Sequence, residues 1–98
     1  MANAADRERL SSTQQRVVRL LSLGCTVSET ASILGVSVST ADNHKAAAMR
    51  LVGVHKMALL TRFAIASNIS PLGDALTAAE RNAIASHKQP LDPSLAPS

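Results

Sequence analysis

Ser39, Asp42, Asn43, Ala46 and Arg50 recur at helical spacing in one short stretch, with Thr40 and Lys45 beside them. Residues three, four and seven apart share one face of a helix, so this set forms a stripe on a single helix. The chemistry open to it is recognition. The Asn43 amide can pair at two points with an adenine edge. The Asp42 carboxylate can only accept, for instance from a cytosine amine, and the Ala46 methyl suits a thymine methyl. Lys45 and Arg50 can reach phosphates, and Thr40 can bond a phosphate or its own helix backbone. A solvated outer face of an ordinary helix has the same composition, and that reading stays open here.

Catalytic machinery is not visible. No Ser, His and carboxylate arrangement and no glycine-rich phosphate loop occurs, so no enzymatic activity and no cofactor are expected. His44, His55, His87 and Cys25 do not fall at metal-ligand spacing, so no metal site is expected either. His44 reads as a satisfied structural histidine. Cys25, in the turn after Gly24, reads as a small apolar filler, and a lone cysteine excludes an internal disulfide and suits a reducing compartment. Ten Lys and Arg against seven Asp and Glu give a net charge of +3, mildly basic as a nucleic-acid binder should be but shared by many other proteins. No run of about 18 apolar residues is present, and the opening MANAADRERL is not a signal peptide. The expectation is a cytoplasmic protein with no membrane partner.

The stripe needs a scaffold, and 98 residues suffice for one small domain. With 46% apolar residues and Phe63 as the sole aromatic, the core must be aliphatic, which suits packed helices. Capping signals divide the chain. Ser11 with Gln14 opens a helix to Leu23, stapled by Leu10, with Val17, Val18, Leu20 and Leu21 inward and Gly24 as the stop. Thr26 with Glu29 opens a short second helix ending at Gly35. Ser37 caps a third running to about Val52, with Val38, Ala41, Ala48 and Val52 inward. A fourth, roughly Lys56 to Ser67, carries Met57, Leu59, Leu60, Phe63, Ala64 and Ile65 around more than one face, which suggests a partner helix. After a break at Ser70, Pro71 and Gly73, Thr77 with Glu80 allows a short fifth helix from about Ala78 to Ser86. The expected organisation is a flexible stretch over 1–9, a helical domain over 10–69, an extension over 70–88 and a disordered tail over 89–98.

The second and third helices with their glycine turn have the layout of a helix-turn-helix unit, in which the first helix braces the one entering the major groove. From Leu10 to about Ile69 the chain also resembles, without a gap, the LuxR/GerE-type helix-turn-helix domain of bacterial response regulators. The matching residues are Leu10-Ser11, Gly24, Glu29-x-Ala31-x-x-Leu34, Val36-Ser37-x-x-Thr40, His44, Gly53-Val54 and Arg62-Phe63-Ala64-Ile65. The resemblance implies an all-α, four-helix domain, transcriptional control, and homodimers formed largely through the fourth helix. The sigma-factor region that reads an upstream promoter element is similar in architecture; the GV turn and the RFAI helix favour the LuxR-type reading.

Departures from that pattern bear on binding strength. Gln14 and Arg16 stand at positions where the family is usually acidic, and Thr30 replaces a larger aliphatic residue. Ser39 and Asp42 stand where the recognition helix usually presents Lys or Arg, although phosphate contacts supply most of the affinity in such interfaces. Weak binding or an unusual site is the consequence.

The resulting expectation is a sequence-specific regulator of double-stranded DNA, with Thr26, Ser39, Thr40, Asp42, Asn43, Lys45, Ala46 and Arg50 at the DNA and Met57, Leu59 and Phe63 in a homodimer interface. A contact with RNA polymerase belongs to the same expectation. The alternatives are a protein-interaction module that has lost its basic groove face, and a sigma-like promoter reader.

Overall fold

A computed structural model describes residues 7–88. Five helices follow one another there: α1 Ser12–Ser22, α2 Val27–Leu34, α3 Val38–Val52, α4 Met57–Ala66 and α5 Ala78–Lys88. No strand occurs among the described residues. The expected tail over 89–98 and most of the stretch expected to be flexible lie outside them. Residues 7–9 are described and form a helical turn. Its backbone is tied to α1 by Gln15, whose Nε2 donates to the carbonyls of Arg7 and Leu10 at 3.2 Å each.

Local chemistry sets the helix starts. The Ser11 N–H donates to Gln14 Oε1 at 2.9 Å while Ser11 Oγ accepts from the Gln14 N–H at 3.0 Å, so two backbone donors at the helix start are satisfied reciprocally. Thr26 and Glu29 repeat this device at α2, and Thr77 and Glu80 at α5. Ser37 caps α3 by accepting from the Thr40 N–H. Helix α4 is the exception: Lys56 gives it no side-chain cap. Helix α2 ends at Gly35 with φ +71°, a left-handed conformation that costs other residues about 1–2 kcal/mol.

Helix α1 is the hub. It packs against α2, α3 and α4; α2 packs in turn on α3, and α5 packs on α2. The main core joins Leu10, Val17, Val18, Leu21, Ala48, Leu60, Phe63 and Ala64. Val17, Val18 and Leu60 are fully buried, each contributing about 1.5–3 kcal/mol on removal from water. Thr30 is also fully buried, and its hydroxyl is satisfied by donating to the Thr26 carbonyl at 2.9 Å.

Two inferences from apolar patterning, at Phe63 and Val38, need correction. Phe63 is only 7% exposed and sits in the core, so it is not available as a dimer contact. Met57 is partly buried against the same core. Val38 was expected to face inward but is 50% exposed, at the mouth of the groove between α2 and α3. The outer apolar residues of α4 are instead Leu59 and Ile65.

Candidate nucleic-acid interface

Helix α3 has two unlike faces. Ala41 and Ala48 point inward at 1% and 0% exposure, and their small side chains let α3 lie close to α1 and α2. On the opposite side Ser39, Asp42, Asn43, Ala46 and Arg50 are all exposed, so the structure brings the stripe together on one outward surface. Lys45 and His44 are half-buried on its flanks. Thr40 is exposed, but its hydroxyl oxygen accepts from Ser37 Oγ at 2.9 Å rather than bonding its own helix backbone. The Thr40 side chain is thereby oriented by the cap of α3. Thr26 is exposed at the start of α2, with its hydroxyl oxygen held in the capping box.

Beside the stripe runs a groove of about 340 Å³ between α2 and α3, lined by Ser28, Ala31, Ser32, Val36, Ser37 and Val38 among others. Its floor at Ala31 is buried, and Gly35 forms the turn that joins the two helices. The arrangement packs α2 against α3 behind its leading end. It offers hydrogen-bonding groups and methyls to a partner and carries no nucleophile and base pair. No group of three or more His, Cys, Asp or Glu among the described residues could hold a metal ion. Burial pushes the Cys25 thiol above its ordinary pKa, with the nearby Glu29 carboxylate adding to the effect.

One polar constellation escaped the reading of the sequence. Arg19, on the outer side of α1, donates through Nε to Asp74 Oδ2 at 2.8 Å and through Nη1 to Glu80 Oε2 at 2.7 Å. Its Nη2 reaches Asp74 Oδ1 at 3.2 Å and the Ala75 carbonyl at 3.0 Å. The hydrogen bonds to Asp74 and then Glu80 raise the Arg19 pKa further above its ordinary range. Asp74 is held below the usual carboxylate range chiefly by Arg19. For Glu80, burial pushes upward, but the bonds from Arg19 and the Thr77 N–H outweigh it and the net shift is down. This clamp fixes the start of α5 to α1 and so places α5 on α2. Two acids 55 and 61 residues away carry no local spacing signal that could have revealed it.

No protein-family model, curated protein or solved structure matches the chain. Among the described residues, no helix is long and apolar enough to cross a membrane.

Proposed function

We propose that this chain is a sequence-specific double-stranded DNA-binding transcription regulator of the helix-turn-helix type, acting by binding and not by catalysis. Helix α2 lies across the groove and α3 enters it. The carrying observation is the two-faced α3: alanines inward, and Ser39, Asp42, Asn43, Ala46 and Arg50 on one exposed side. Asn43 is the adenine reader, Asp42 a cytosine reader, and Lys45 with Arg50 contact phosphates. The LuxR/GerE-type resemblance supports the same assignment and adds a homodimer through α4. Leu59 and Ile65 are the residues there with apolar surface to offer, at 39% and 37% exposure.

Selection from random duplexes at low salt tests this reading. Enrichment of a site containing adenine and cytosine, lost on Asn43→Ala, supports it. Failure to enrich any duplex leaves the protein-interaction module, which the non-basic first turns of α3 favour.

A further inference from the structure

Away from α3, the residues Ser12, Gln15, Arg16 and Arg19 share one face of α1 and form one wall of a pocket of about 360 Å³. The turn at Arg7 makes a second wall, and Asn68 with Ile69, just after α4, makes a third. All three are fixed. Gln15 Nε2 ties the Arg7 and Leu10 carbonyls to α1, and the Leu10 N–H closes the turn on the Arg7 carbonyl at 3.0 Å. Asn68 takes a left-handed φ of +64°, which Asn tolerates better than most residues. The Ile69 N–H then returns to the Ala64 carbonyl at 2.9 Å, and Ile69 packs against the core. The lining is cationic, and no carboxylate belongs to it. Arg19 is committed to Asp74, Glu80 and the Ala75 carbonyl. Arg7 and Arg16 are not: among the described residues neither side chain takes part in an ion pair or a hydrogen bond.

Two guanidiniums on separate walls can close on a tetrahedral dianion from two sides, whereas a lone carboxylate is matched by one such fork. A phosphoryl group therefore suits the charge of this lining. The volume lies at the small end of ligand pockets, which span about 300–1,000 Å³, so there is room for an organic part as well. With its Nε2 committed to backbone carbonyls, Gln15 keeps Oε1 to accept from a ligand hydroxyl, and the exposed Asn68 amide can pair with another. We propose that this pocket binds a small phosphorylated polyol or sugar, its phosphoryl group held between Arg7 and Arg16 and its hydroxyls bonded by Gln15 and Asn68. The site shares no residue with the α3 stripe or the groove beside it, so it stands or falls apart from the DNA-binding reading.

Amide-shift titrations of the full chain with glycerol phosphate test the site, beside glycerol, inorganic sulfate and a random-sequence duplex. Glycerol phosphate should move the amides of Arg7, Ser12, Arg16 and Asn68 and leave those of α3 in place, while glycerol moves none. Arg7→Gln and Arg16→Gln should each weaken binding roughly tenfold, because each removes a charged hydrogen-bond donor. Lys56→Gln, which removes an exposed cation outside the pocket, should leave the affinity unchanged. Neither arginine side chain bonds to the rest of the fold, so both variants should melt like the wild type. Sulfate binding as tightly as glycerol phosphate would reveal an anion patch without preference and overturn the proposal. So would equal affinity in the wild type and both arginine variants, or no shift at these amides. Displacement of glycerol phosphate by the duplex would overturn it as well, by giving the pocket to the DNA backbone.

Discussion

Arg19 and Asp74 stand 55 residues apart in sequence and 2.8 Å apart in space, and their contact turns a C-terminal extension into part of the helical domain. The guanidinium and both carboxylates are about four-fifths shielded from water, at 22% and 19% exposure. Removing the cation strands two charges in that setting. Arg19→Met should destabilise the fold by about 1–3 kcal/mol, read as a lower urea midpoint.

The same clamp makes stability depend on acid. Asp74 and Glu80 have folded pKa values below their ordinary 3.8 and 4.5. Their contribution is fully present above those ordinary values and is lost as pH falls through the lower folded ones. Urea midpoints of the wild type should therefore decline below about pH 4.5, and Arg19→Met should flatten that decline. Parallel pH profiles for the two proteins would show that the clamp contributes nothing.

The two sides of α4 should respond differently to a buried or exposed charge. Phe63→Ala should cost about 3–5 kcal/mol because it opens the core, and Phe63→Glu should prevent folding. Leu59→Glu should change stability by no more than about 0.5 kcal/mol. If α4 forms the homodimer, sedimentation should show Leu59→Glu shifted towards monomer with its helicity intact.

At the turn between α2 and α3, Gly35→Ala should destabilise by about 1–2 kcal/mol. No atom lies within 4 Å of the added Cβ, so the cost comes from the left-handed φ of +71° and not from a clash. Gly35→Asn, which tolerates that conformation better, should cost less in the same thermal melts.

Asp42→Lys should strengthen binding to random duplex and steepen its salt dependence by roughly one or two phosphate equivalents. Asn43→Ala should instead relax preference at one base by about 1–3 kcal/mol and leave the salt slope nearly unchanged. Identical behaviour of the two variants would place neither residue in the groove.

Helix starts were legible because their determinants are local. The pairs Ser11 with Gln14, Thr26 with Glu29 and Thr77 with Glu80 are three residues apart, and the hydrogen bonds they form are the ones that spacing demands. The outward stripe of α3 was legible too, since alanines at 41 and 48 leave one clear phase. Helix α4 gave no such phase. Apolar residues wrap it, and the choice of Phe63 over Leu59 for the interior was made by Val17, Val18 and Leu21 of another helix. Val38 failed for a related reason: a residue at the first helical position sits beside the open end of the α2–α3 groove, where periodicity predicts cover that the neighbouring helix does not supply. The clamp at Arg19 lay beyond any local rule, because its partners meet it only after the chain has closed on itself.

The burial of Phe63 reaches beyond packing. It is the sole aromatic residue of the chain, and the core has taken it. Proteins that grip unpaired strands or splayed RNA loops commonly slide exposed Phe, Tyr or Trp rings against the faces of bases, each stack being worth about 1–3 kcal/mol. No such ring is left on this surface. Stacking against an unpaired base would fall instead to the exposed His55 imidazole or to the guanidinium planes of Arg50 and Arg62.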